Sequence, residues 1–203
     1  MASKLIILRH AERESIPDGE IGHEVSITKA GVDSTKLFSA GLKEPVISIE
    51  SSPIHRCIQT ARLIADMHGI ESFEITTSTL LGDPGFFISD ADLAWKSWQK
   101  LGSETVNRHL LIGTEQWPGF RPFEEAMAIM TDRIYSTLLD DRHGIAVWVT
   151  HDTILAAFAS RVLDAPLTLD MWPDFLGSLT VTTGKIDKLN CYYSQRYGES
   201  HLS

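Results

Sequence analysis

The sequence predicts an α/β fold: a three-layer sandwich with a mostly parallel central sheet, helices on both faces and a small helical cap insertion. Three observations predict it. Residues 4–8 (Lys-Leu-Ile-Ile-Leu) are a short apolar run without alternation, the pattern of a strand covered on both faces. Residues 145–150 repeat that pattern, apolar from Ile145 through Val149. Between them, strand-like and helix-like stretches alternate, as they do when helical crossovers return a chain to a parallel sheet.

Each element has a local reason. Pro17, Gly19 and Gly22 mark a loop after the first strand. Thr28 opens a helix over residues 28–42, with a hydroxyl to cap free amides and an apolar face of Val32, Leu37, Phe38 and Leu42. Pro45 is a break, and residues 46–49 read as the second strand. After Ser51-Ser52-Pro53 another helix begins, with Pro53 suited to its first turn. It carries Ile58, Ala61, Leu63, Ile64 and Met67, and Gly69 stops it. Phe73, Ile75 and Thr77 make a third strand. A helix over 154–163 follows the fourth strand directly, and residues 179–183 and 189–193 form a closing hairpin around Gly184, Lys185 and Asp187.

Between residues 80 and 121 the alternation lapses. Trp95, Trp98 and Trp117, with several Gly and Pro residues, read as packing a helical insertion over one edge of the sheet, with the lining of a substrate pocket as the alternative for the tryptophans. A helix at 123–139 then returns to the main layer. With no repeat or linker, the chain reads as one domain, 1–203, with a cap at about 80–121.

At 203 residues a core forms without staples. The net charge of −9, from 18 basic and 27 acidic residues, repels nucleic acid and anionic lipid, so neither is an expected partner. A local cluster of arginines is informative against that background. Cys57 and Cys191 belong to no CxxC pair and read as buried free thiols. No carboxylate cluster suited to magnesium is evident, so no metal or other cofactor is expected. The first apolar run is too short for a signal peptide and no stretch approaches membrane-spanning length, which points to the cytoplasm. Nothing in the sequence sets an oligomeric state.

The chemistry-bearing residues sit at strand ends. Arg-His occurs three times, at 9–10, 108–109 and 142–143, but only Arg9-His10 directly follows a buried-strand pattern. That is the edge where open α/β sheets place ligands. His151 follows the fourth strand in the same way, and Arg56 lies in the first turn of the helix after the second strand. Together they suit a phosphomonoester, whose transfer spreads charge over three oxygens. Planar guanidinium groups grip such oxygens in pairs and stay charged; Arg9, Arg13 and Arg56 are the candidates. A neutral imidazole at His10 can attack phosphorus, and neighbouring arginines keep it neutral. The leaving alkoxide needs a proton, from Asp152 or from Asp83 in Leu81-Gly82-Asp83-Pro84-Gly85. Asp152 could equally cap the following helix.

Leu8-Arg9-His10-Ala11-Glu12-Arg13 resembles the signature of the histidine phosphatase superfamily. Ile27-Thr28-Lys29-Ala30-Gly31 resembles its Thr-x-x-Gly helix start, the block from Ser51 to Ala61 its second-strand motif, and Val149-Thr150-His151-Asp152 its late histidine motif. The four blocks come in family order. The resemblance implies a phosphorylated nucleophile at His10 and a phosphate pocket of Arg9, Arg56 and His151. Arg13 and the His151-Asp152 pair are similar to the acid-phosphatase branch, where that aspartate is the proton donor. The short chain and the Ser-Ser-Pro block look more like the mutase branch, whose donor is a Glu in a Leu-x-Glu context, near Asp83 here. Asp152 is the favoured donor and Asp83 the reserve. Ala11 stands where the family usually has Gly, which is tolerable at negative φ. The expected activity is a metal-independent phosphatase acting on a small phosphorylated substrate through a phosphohistidine. The alternatives are a phosphoglycerate mutase-type phosphotransferase, for which Lys96, Lys100 and Arg121 form no evident second cluster, or a non-catalytic phosphate-binding module.

Overall fold

The computed structural model describes residues 4–17, 20, 22–71, 74–139, 142–184 and 188–198. Among them a six-stranded sheet runs in the order β3-β2-β4-β1-β5-β6. The strands are β1 (Lys4–Arg9), β2 (Val46–Ser51), β3 (Thr76–Thr77), β4 (Ile145–Thr150), β5 (Ser178–Thr183) and β6 (Leu189–Ser194). The first four run parallel, and β5 and β6 are antiparallel at one edge. The third strand keeps only two residues; Ile75 falls outside it and Phe73 lies outside the described residues. Lys185 and Asp187 of the closing turn also lie outside them.

Because side chains alternate across a strand, β1 feeds two cores. Ile6 and Leu8 join Val147 and Val149 under α1 (Lys29–Gly41) and α2 (His55–His68), through Phe38, Cys57, Ala61 and Ile64. Leu5 and Ile7 join Trp148 in the opposite core, with Met130 and Ile134 of α5 (Phe123–Leu138) and Leu155 and Phe158 of α6 (Asp152–Val162). Burying one such aliphatic side chain stabilises the fold by roughly 1.5–3 kcal/mol. Leu37 departs from the expected face of α1 and is 66% exposed, because Thr35, Phe38 and Ser39 turn inward instead.

The helix boundaries follow their caps. Thr28 Oγ1 accepts the Gly31 amide at 2.9 Å, as its sequence position implies. Gly31 has a second role: a Cβ there would collide with the Glu12 carbonyl oxygen, which accepts the Thr28 amide at 2.9 Å. The Thr-x-x-Gly spacing thus clamps the loop after β1 onto the start of α1. Helix α2 begins at His55, two residues beyond Pro53, and ends at Gly69 with φ of 68°. Helix α6 begins at Asp152, earlier than the apolar pattern alone indicated.

Residues 91–112 form α3 (Ala91–Leu101) and α4 (Ser103–Ile112). Helix α4 packs on α6 and α3 packs on α4, rather than over a sheet edge. Val106, Leu110 and Leu111 share a core with Phe158, and the Arg161 guanidinium donates to the carbonyls of Leu110 and Gly113 at 3.2 and 2.8 Å. No helix of the described residues is long and apolar enough to cross a membrane.

Candidate active site

Strand register assembles the site. Arg9 of β1 is level with Thr150 of β4, and Ser51 of β2 with Val149. The three parallel strands therefore end together, and the next residue of each, His10, Ser52 and His151, emerges at one edge. Arg56, on the first turn of α2, points into the same place: its Nε donates to His10 Nε2 at 3.1 Å and its Nη2 to His151 Nδ1 at 3.3 Å. Its Nη1 donates to the Gly22 carbonyl at 2.7 Å. One guanidinium thus spans two imidazoles whose centroids are 5.4 Å apart.

The tautomers follow from these partners. His10 Nδ1 faces the Ala11 carbonyl at 2.7 Å and must carry the proton, leaving Nε2 as a lone pair. His151 accepts from Arg56 at Nδ1 and so donates from Nε2 to Ser52 Oγ, 2.9 Å away. Burial, His151, Arg56 and Arg9 hold His10 well below the usual histidine range. Burial and then Arg56 bring His151 down to about 3, against the opposing pull of Asp152. Both rings are neutral at physiological pH.

Arg9 lies beside them. Its Nη2 pairs with Asp152 at 3.1 Å, its Nη1 donates to the Pro173 carbonyl at 2.7 Å, and its guanidinium carbon sits 4.2 Å from the Phe175 ring centroid. Asp152 also accepts from the Thr153 amide at 2.9 Å and from the Trp172 side chain. Although burial opposes it, Arg9 and these donors lower the Asp152 pKa and keep it a carboxylate. Arg13 stands at the margin, donating to the Glu14 carbonyl at 2.8 Å. Partial burial lowers its pKa, as does the charge of Arg9, while Asp152 acts the other way.

Asp83 arrives from a different loop. Thr150 Oγ1 donates to the Leu81 carbonyl at 2.6 Å, which ties the turn at Thr79–Leu81 to the end of β4. Gly82 then passes His151 so closely that a Cβ would stand 2.6 Å from its Nε2 and 2.9 Å from Ser52 Oγ. Beyond it Asp83 adopts a left-handed φ of 64°, its half-exposed carboxyl 3.8 Å from His23 Nε2. A cavity of about 270 Å³ opens here, with Arg56, His151 and Asp152 at one end and Asp83 on its wall. The structure therefore gathers Arg9, His10, Arg56, His151 and Asp152 directly. Arg13 and Asp83 join from the periphery.

Several site neighbours escaped the sequence. Ser52 had a signal, since it follows a strand end as His10 and His151 do, but Ser51-Ser52-Pro53 reads equally as a helix start. Trp172 and Phe175 lie in a loop with no periodicity, so only tertiary structure brings them to Asp152 and Arg9. Thr60 Oγ1 accepts the Ala11 amide at 3.1 Å, and Ala11 is not among the positive-φ residues, which is why it can replace Gly. Cys57 is buried with its thiol pushed up to about 12, whereas Cys191 is only half-buried, contrary to its reading as a buried thiol. Among the described residues no group of three or more His, Cys, Asp or Glu side chains is placed to hold a metal ion.

A model of the histidine phosphatase superfamily (branch 1) matches residues 5–189. No curated protein matches. Solved structures of similar fold include a mycobacterial glucosyl-3-phosphoglycerate phosphatase, 14% identical, with a TM-score of 0.65 over 97% of this chain and 100% of that one. The phosphoserine phosphatase of Entamoeba histolytica, in complex with 3-phosphoglyceric acid, is 16% identical with a TM-score of 0.63 over 99% and 97%. A phosphoglycerate mutase from Bacillus anthracis is 13% identical with a TM-score of 0.63 over 96% and 93%. With the family match spanning both strand-end histidines and the arginine between them, the chain belongs to the histidine phosphatase superfamily.

Proposed function

We propose that the protein is a metal-independent phosphatase that hydrolyses a phosphomonoester through a phosphohistidine on His10. The carrying observation is His10 itself: a neutral ring with Nδ1 fixed on a carbonyl and Nε2 unprotonated, accepting from the Arg56 guanidinium. The Nε2 lone pair attacks phosphorus while the ester P–O bond breaks. Arg9, Arg13 and Arg56 meet the charge on the phosphoryl oxygens, with the His151 Nε2–H exchanging Ser52 Oγ for one of them. Water then forms a new P–O bond as the N–P bond breaks, releasing phosphate and the free ring.

The proton is assigned to Asp83 rather than to Asp152, reversing the preference drawn from the sequence. Arg9, Trp172 and the Thr153 amide hold Asp152 as a carboxylate, which serves to orient Arg9. Asp83 stands on the cavity wall in contact with solvent, in the Leu81-Gly82-Asp83 segment, and the likeness to a phosphoglycerate mutase fold supports this choice. Its carboxyl gives the proton to the leaving alkoxide and takes one back from the attacking water. A phosphatase is preferred to a mutase because Arg56 is the one arginine or lysine among the described residues lining the cavity. A mutase needs a second anion site there.

Turnover of p-nitrophenyl phosphate in excess chelator is the test. We expect full activity in chelator, a loss of roughly 10³-fold or more in His10→Ala, and a labelled phosphoenzyme stable to base and labile to acid. Turnover by His10→Ala, or its abolition by chelator, would overturn the proposal.

A further inference from the structure

Beyond the phosphate pocket, the cavity has a chemical character of its own. Helix α3 turns Ala91, Ala94, Trp95 and Trp98 toward it, an i, i+3, i+4, i+7 set that occupies one helical face. The two alanines leave the room and the two tryptophans supply the walls. Phe87, Ile88 and Ile154 add to the apolar lining, and His23 and Thr153 are polar members of it. The aromatic wall is braced from behind: Phe120 stacks on Trp98 at 5.6 Å and 21°, and on Phe87 at 6.3 Å and 11°. Trp95 remains 37% exposed at the mouth, an apolar surface that no described part of the chain covers fully.

Charge separates the two ends. Arg56 is engaged at the catalytic end, and Asp83 is the acidic group on the wall, at the leaving oxygen in the proposed reaction. Lys96 and Lys100 lie on other faces of α3, and Arg121 pairs with Glu125 at 3.0 Å. A carboxylate or second phosphate entering this space would face apolar walls and Asp83, whose neighbour on the wall is His23 at 3.8 Å, with no arginine or lysine beyond Arg56 among the described lining residues to meet it. An uncharged ring would bury its faces against Trp95 and Trp98. At about 270 Å³ the space lies just below the usual range for ligand pockets, roughly 300–1,000 Å³, so one small ring system fits and a sugar chain does not.

We infer that the substrate is a phosphomonoester whose alcohol part is a compact, uncharged, aromatic or otherwise apolar group, bound between Trp95, Trp98 and Phe87. This inference rests on the phosphatase reading for the position of the phosphate, but its test does not require turnover. Benzylphosphonate and phosphonoacetate carry the same non-hydrolysable head with an apolar and an acidic tail. Binding is measured by calorimetry and by quenching of tryptophan fluorescence in the intact protein.

We expect benzylphosphonate to bind at least tenfold more tightly and to quench the fluorescence, and Trp95→Ala to narrow the gap below threefold. Ala91→Arg, an exposed position on the same wall, should narrow it from the other side by tightening phosphonoacetate. Equal or tighter binding of phosphonoacetate to the unmodified protein would overturn the inference, whatever the catalytic result. Benzyl phosphate against glycerol phosphate then compares kcat/KM for two alkyl leaving groups. Turnover without that preference would defeat the substrate class alone. The benzylphosphonate preference in a protein inactive on both esters would defeat the phosphatase reading alone.

Discussion

A proton donor and a charge-orienting residue differ in what they do to different leaving groups, and that difference separates Asp83 from Asp152. A nitrophenolate leaves without assistance, whereas an alkoxide needs its proton in the transition state. Asp83→Asn should therefore cost roughly 10²–10⁴-fold in kcat on an alkyl phosphate and much less on p-nitrophenyl phosphate. Asp152→Asn should cost both substrates alike, because it releases Arg9 from its 3.1 Å pairing and from its place over Phe175. Steady-state kinetics on the two esters checks both statements, and a selective loss in Asp152→Asn would return that residue to the donor's role. That His10, Arg56 and His151 meet was legible from residue type and strand-end position. The donor was not, since two aspartates met the sequence criterion and only the partners around Asp152 separate them.

Elements set how closely the catalytic groups approach, and the segment after Leu81 is the tightest case. Gly82 has a φ of 137° and passes within van der Waals distance of His151 and Ser52, so a methyl group there conflicts with backbone and ring at once. Gly82→Ala should lower kcat/KM by roughly ten- to hundredfold by displacing the imidazole, with a His151 ring resonance moved in the NMR spectrum. Unshifted His151 signals together with full activity would show that the segment yields. Similar logic explains what could be read at this scale. Thr28 and Gly31 were recognisable as a helix start, and Gly69 as a stop, because caps are local. The packing of α4 on α6, and of α3 on α4, was not recognisable, because their apolar residues carry no label saying whether they meet a sheet edge or another helix. The tryptophans at 95 and 98, read as packing residues, share that ambiguity; both line the cavity as well.

For the whole molecule, the buried neutral histidines carry a cost in acid. His10 and His151 have folded pKa values below the ordinary 6.5, while the unfolded chain protonates them near that value. Between those limits the unfolded state binds more protons, so stability is complete above pH 6.5 and is lost as the pH falls toward the folded values. Asp152, also depressed, acts in the same sense below its ordinary 3.8. Each histidine contributes a slope of at most about 1.4 kcal/mol per pH unit. Urea unfolding at pH 7.5 and 5.0 should show a lower midpoint at the acid value, and His10→Asn with His151→Asn should flatten the dependence. An identical dependence in the double variant would place the acid lability elsewhere.

The sequence by itself determined the sheet and the histidines at its edge. Unbroken apolar runs of this short length, bounded by turn signals, read as strands covered on both faces, and a histidine immediately after each emerges at the sheet's carboxyl edge. The placement of Arg9 and Arg56 was likewise readable one residue at a time. Tertiary structure alone decided the rest: which aspartate holds Arg9, that Trp172 and Phe175 reach the site from a loop without periodicity, and that one face of α3 walls the cavity. The reason is physical. Periodicity and capping are set by neighbours within a few positions in the chain, whereas charge pairing and cavity walls depend on contacts between segments far apart in sequence.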